Sequence, residues 1–299
     1  MSDVTLGVVC ALLAPLAWSI AVVLFKRSSA APPIAINLFK NTFAVVLLSV
    51  TMLVLRIPIP MDRSAADWGR LAFSGFLGLA VADTLLFEGL RRIGAGRLAV
   101  VDTIYAPLVV LLCWVFLGEA PNAAFLLGGA AVIGGVTLAT VDPGALTREG
   151  GREVTVGVVY ATLAICGTAI GVVIAKPVLQ HSSLVEVTWT RLVVGMFGVL
   201  AYTILRGRGA EAMVAFRPGP LWRTLVPAAF VGTYLSLLFW LGGFKWADAS
   251  VAAVLNQMAT VYLLLFARFV LKENLRPRQV AGSLLAASGA LWIVLHQLP

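Results

Sequence analysis

The chain has 299 residues, of which 60% are hydrophobic and 12% charged, about half the roughly 25% charged share of a soluble domain. It carries too little polar surface to cover itself in water, so lipid must be its outer solvent. The net charge of +8 then belongs to short connecting loops, where Lys and Arg set topology and meet anionic lipid, and is not a nucleic-acid footprint.

Apolar stretches of near-spanning length, about 20 residues each, are predicted at 4–25, 33–55, 70–90, 97–117, 122–140, 154–175, 184–205, 222–243, 249–271 and 277–297. The expected fold is an all-α integral membrane protein of ten transmembrane helices. The first stretch lacks a basic leader region and has an internal duplicate, so it reads as a structural helix and not a cleaved signal. Shifted by 150 positions, Val4–Lys26 lies over Val154–Lys176 with 12 of 23 positions identical. The far ends repeat as well: Glu119, Gly128 and Gly135 keep the spacing of Glu273, Gly282 and Gly289. The expected organisation is a first five-helix repeat at 4–140, a linker at 141–153 and a second repeat at 154–297. Five is odd, so the second copy enters the membrane from the opposite side, and the repeats are inverted (5+5).

Polar residues within the spans mark candidate sites, because each costs roughly 2.5–3.5 kcal/mol at mid-helix on insertion scales. In the first helix Trp18 sits deep, beside Pro15, and is expected on a cavity wall. Lys40 lies seven residues into the second helix and Arg191 seven into the seventh. At 1.5 Å per residue both lie about 10 Å from opposite faces, as inverted equivalents should. Asp83 in the third helix and Asp102 in the fourth share the depth of Lys40. A buried carboxylate near a cation can exchange protons during a transport cycle, so these two are the proton-coupling candidates. Tyr105, three residues from Asp102, shares its helix face. Trp189 is placed with Arg191 in a substrate pocket. Trp240 and Tyr234 suit either lipid or cavity and are assigned to helix packing. Asn256 and Gln257 stand in the ninth helix where the fourth carries acid, and Gln257 joins the substrate-binding set. Pro15 and Pro107 are expected to kink their helices, with no equivalent break in the second half. Paired glycines allow close helix approach. Glu119 and Glu273 are expected to neutralise the N-terminus of the following helix.

The paired Glu–Gly–Gly endings, Trp18 followed by the helix-ending Lys26, and the Ala106-Pro107 step resemble EamA-type members of the drug/metabolite transporter superfamily. The resemblance covers both repeats. It implies a ten-helix inverted-repeat fold with a central cavity, and efflux of amino acids, other small metabolites or drugs. It also implies cytoplasmic termini, whereas the loop charges and the positive-inside rule put both termini outside.

Residue chemistry narrows the function classes. His181 and His296 lie near helix ends, and no HExxH or phosphate-cradling Gly-Lys-Ser/Thr loop occurs, so neither an enzyme nor a nucleotide-driven pump is expected. Cys10, Cys113 and Cys166 sit at unrelated spacings within apolar spans, which suits neither disulfides nor a metal site; no cofactor is expected. The predicted function is a secondary active transporter of a small polar or amphipathic metabolite, an amino acid or related compound, in the bacterial inner membrane. The predicted partners are that substrate, protons and the bilayer, with no nucleic acid; ten helices suffice for a monomer. An exchanger or drug or sugar transporter without proton coupling stays open as an alternative, as does a channel-like or scaffold subunit.

Overall fold

The computed structural model describes residues 2–28, 31–140, 152–269 and 276–297, and all their regular structure is helical. Among the described residues nine helices are long and apolar enough to cross a bilayer, and a tenth is shorter. The first half holds α1 (Asp3–Arg27), α2 (Pro33–Val54), α3 (Ala65–Gly94), α4 (Tyr105–Leu117) and α5 (Ala123–Thr140). The second holds α6 (Arg152–His181), α7 (Leu184–Leu205), α8 (Trp222–Trp246), α9 (Ala249–Asn256 and Met258–Phe269) and α10 (Pro277–Gln297). This is a ten-span integral membrane protein of two inverted five-helix repeats.

Several helices outrun the apolar runs that announce them, and polar caps explain why. Ser64 accepts the Asp67 N–H at 3.1 Å and starts α3 five residues before the apolar stretch begins. α6 continues past Pro177 to His181 because Lys245 donates to the carbonyls of Leu179 (2.7 Å), Gln180 (3.3 Å) and Ser182 (2.7 Å), closing its C-terminus. On the same face Arg63 forks onto Glu186 with two hydrogen bonds of 2.8 and 2.6 Å.

The halves interleave. α1 packs on α8, α3 on α6, α2 on α7, α4 on α9 and α5 on α10. Exchanging the repeats maps this set of pairs onto itself, as a two-fold axis in the membrane plane requires. The repeated glycine spacing forms the α5–α10 seam. A Cβ on Gly282 would lie 2.5 Å from the carbonyl oxygen of Gly135, and one on Gly289 2.6 Å from that of Gly128. Only glycine lets the two backbones approach so closely, which matters where helix association rests on packing alone.

Pro107 acts differently from expectation. α1 runs through Pro15 as one helix. Pro107 occupies the first turn of α4, where its missing N–H leaves no bond unmade, so it opens a helix and does not kink one. The break lies just before it, at Thr103–Ile104. The second half is broken at the same register without a proline: Gln257 N–H bonds Val254 O at 3.1 Å, and Thr260 N–H bonds Gln257 O at 3.3 Å. Three-residue bonds tighten that turn.

Two further irregularities have no apparent signature in the sequence. α3 contains π turns over Phe76–Ala82, and α8 contains them over Phe230–Leu235. These segments are equivalent under a shift of 154 residues. Widened turns of this kind cluster at functional sites, and these two end immediately before Asp83 and Ser236.

Candidate functional site

The π segments, the two helix breaks and Trp18 surround a mid-membrane cavity of about 220 Å³. α1 contributes Ala14, Pro15 and Trp18; α2 contributes Lys40; α3 contributes Gly78, Leu79, Asp83 and Leu86; the fourth span contributes Asp102 and Tyr105. From the second half come Ile165, Thr168, Arg191, Gly232, Thr233, Ser236, Leu237, Trp240, Asn256, Gln257 and Ala259. Eighteen of these twenty-one residues form nine repeat-equivalent pairs, among them Trp18 with Thr168, Lys40 with Arg191, Asp83 with Leu237, Leu86 with Trp240 and Asp102 with Asn256. The cavity therefore sits on the pseudo-two-fold axis, while its chemistry is asymmetric.

Around Lys40 the polar groups are paired. Lys40, 3% exposed, places Nζ 2.6 Å from Asp83 Oδ2 and donates to Asn41 Oδ1 at 3.1 Å. Asn41 donates on to Asn37 Oδ1 (3.2 Å), and Asn37 to Thr84 Oγ1 (3.2 Å) and the Leu79 carbonyl (3.4 Å) inside the π segment. Each buried polar atom in this chain gains a partner, which is what makes burying Lys40 tolerable.

Around Arg191 several groups lack partners. Arg191 is 2% exposed; its guanidinium lies 5.5 Å from the Trp240 ring centroid. Its backbone is held where Gly75 of α3 permits direct contact. No ion pair among the described residues includes Arg191. Arg191 Nε, Tyr105 Oη, Thr233 Oγ1 and Asn256 Nδ2 are buried without a hydrogen-bond partner. All four residues line the cavity. Gln257 Nε2 donates to the Asp102 carbonyl at 3.1 Å, bridging the two helix breaks.

The structure thus brings Trp18, Lys40, Asp83, Asp102, Tyr105, Arg191 and Gln257 to one cavity. It does not bring Trp189 there. Trp189 Nε1 donates to Ser49 Oγ at 2.8 Å, away from the cavity, because residues two apart on a helix point to opposite sides. Trp240, assigned to packing with the cavity as the alternative, lines the cavity. Tyr234 does pack, bonded to Thr51 at 2.8 Å and stacked on Phe230 at 5.5 Å. Thr233 was absent from the expected set, although its equivalence to Leu79 places it there.

Glu119 acts at the other half's helix. Its carboxylate accepts from Ala249 N–H (3.2 Å), Ser250 N–H (3.1 Å) and Ser250 Oγ (3.1 Å), capping α9 instead of the adjacent α5, and pairs with buried Lys176. Its repeat equivalent Glu273 lies outside the described residues.

Comparison with known proteins bears on this architecture. Residues 5–141 and 155–295 each match the EamA-like transporter family. The chain belongs to that family. It is 26% identical over 139 residues to "Uncharacterized inner membrane transporter YhbE" of Escherichia coli K12, and equally to that of Escherichia coli O157:H7 and of Shigella flexneri. Those matches span 46% of this chain and 42% of the length of each relative. One solved crystal structure superposes with a TM-score of 0.78 over 97% of this chain and 96% of its own, at 18% identity, which bears on the fold alone.

Proposed function

We propose that the protein is a secondary transporter of the bacterial inner membrane that exports a small zwitterionic metabolite, an amino acid or close relative, through the cavity between its repeats. The observation that carries this reading is the placement of opposite charges in one mid-membrane chamber, with Arg191 and Asp102 on its walls. Buried ionisable groups cost free energy in a bilayer, and a substrate of complementary charge offsets that cost only while bound. Alternating access follows from two inverted halves rocking about a site on their axis. Asp83 and Asp102 serve as proton-coupling groups, Trp18 and Trp240 as apolar walls, and Tyr105 and Gln257 as polar contacts. A monomer suffices, since one chain builds the whole cavity.

Metabolites exported by cells overproducing the protein, read by mass spectrometry against a vector control, test the reading. Accumulation of a zwitterion that purified protein also moves in proteoliposomes is the expected result; no exported metabolite above control overturns it. The 2.6 Å Lys40–Asp83 contact favours a second version, in which that pair is permanent and coupling falls to Asp102 alone.

A further inference from the structure

We infer that the cavity wall around Arg191 is a subsite for a single carboxylate, built from Arg191, Tyr105, Thr233 and Asn256. The inference deepens the transporter reading above and rests on it. Native proteins rarely leave buried polar atoms unpaired, because each costs its full desolvation without a compensating bond. Here four such atoms, Arg191 Nε, Tyr105 Oη, Thr233 Oγ1 and Asn256 Nδ2, belong to residues that line one cavity. All four can donate, and Arg and Asn nitrogens can only donate. A ligand that answers them must be rich in acceptors.

Charge narrows the class. Of the two cations lining the cavity, Lys40 is already held by Asp83 at 2.6 Å. Arg191 supplies the remaining positive charge, which matches a monoanion better than a phosphate dianion. A carboxylate offers two oxygens with about four lone-pair sites and accepts a guanidinium edge side-on. Tyr105 also begins α4, whose N-terminal dipole adds positive potential at this wall. The repeat equivalents of Tyr105 and Thr233 are Ala259 and Leu79, which cannot donate from a side chain. The subsite therefore belongs to one side of the axis. Lys40 is thereby assigned to holding Asp83 and not to the substrate carboxylate.

The ligand-side test needs no variant. Free L-amino acids, their methyl esters and their decarboxylated amines are compared by thermal stabilisation of the purified protein in detergent. The expected result is that an acid stabilises the protein and its ester and amine bind at least tenfold more weakly. Arg191→Gln should abolish that stabilisation, Arg191→Lys should restore part of it, and Tyr105→Phe and Thr233→Val should each weaken it about tenfold, the usual cost of a hydrogen bond to a charged group. An ester or amine binding as tightly as the acid overturns the subsite, as does an exported metabolite lacking a carboxylate; both leave the transporter standing. Cells that export nothing overturn the transporter reading itself.

Discussion

Gln257 Nε2 reaches across the repeat boundary to the backbone carbonyl of Asp102 at 3.1 Å. Each residue stands at the break of its own span, so one side chain ties together the two points where the helices of the pseudo-two-fold pair are interrupted. Interhelical hydrogen bonds in bilayers average about 0.6 kcal/mol, so Gln257→Leu should cost little stability, about 1 kcal/mol. It should lower transport more than tenfold, because the freed Asp102 carbonyl no longer fixes the acid beside it. Proteoliposome uptake together with the unfolding midpoint checks this. A variant of normal activity would show that the bridge serves assembly only.

The Lys40–Asp83 contact predicts a non-additive pair. Lys40→Met alone leaves a largely buried carboxylate without its cation and should destabilise the protein by about 3 kcal/mol. Lys40→Met combined with Asp83→Leu removes both charges and should recover at least about 1 kcal/mol of that loss. A double-mutant cycle on thermal or denaturant unfolding in micelles measures the coupling. Strict additivity would mean that the 2.6 Å contact contributes nothing to the folded state.

Trp189 and Trp240 separate cavity from packing. Trp240→Ala removes the ring under the Arg191 guanidinium and should reduce transport at least tenfold. Trp189→Phe loses only the bond to Ser49 and should retain near-normal transport. Uptake assays on both variants check the contrast, and the reverse order of effects would reassign the wall.

Much of this architecture is legible in the sequence. The duplication and the span count fixed the inverted architecture, because an odd number of crossings leaves no other topology. Depth counting along the helices found Lys40, Asp83, Asp102 and Arg191. Azimuth was harder: in a bilayer both the lipid face and the core face of a helix are apolar, so hydrophobic periodicity loses its contrast. Trp189 is separable from Arg191 by spacing alone, since residues two apart on a helix point to opposite sides. The repeat itself held the missing information, since Trp240 and Thr233 are the equivalents of residues beside Asp83. The π turns are not legible in the sequence: Phe76–Ala82, which packs on α6 and α7, and Phe230–Leu235, which packs on α1 and α2, carry no proline or charge to announce them. Pro107 marks the break only approximately, because a proline suits the first turn of a helix as well as a kink within one.

Proton coupling is the most exposed mechanistic expectation. Asp83 and Asp102 both line the cavity that holds Arg191. Asp102→Asn should abolish pH-gradient-driven transport while leaving substrate counterflow largely intact, since counterflow needs binding and rocking but no net proton movement. Asp83→Asn should do the same if the Lys40 pair opens during the cycle. Two variants that both keep full gradient-driven uptake would make these acids structural.

Glu119 gives a pH signature of stability on the face that carries the termini. Burial alone would raise its pKa, but the hydrogen bond and charge of Lys176, with the Ser250 and Ala249 N–H groups, outweigh burial and hold the carboxyl below the ordinary glutamate value. A carboxyl whose folded pKa is lowered contributes its full stabilisation above its unfolded pKa, about 4.3. That contribution is lost as pH falls through the lower, folded value. Glu119→Gln should therefore be less stable than the parent at pH 7 by about 3 kcal/mol, because Lys176 is left buried without a counter-charge. The gap should stay constant down to about pH 5 and narrow only below the ordinary glutamate range. Unfolding midpoints of both proteins in detergent between pH 7 and the acid limit of solubility follow this directly. A gap that widened as pH fell would mean that the protonated carboxyl stabilises the cap, and the ion pair to Lys176 would not be what fastens α9 to the first half.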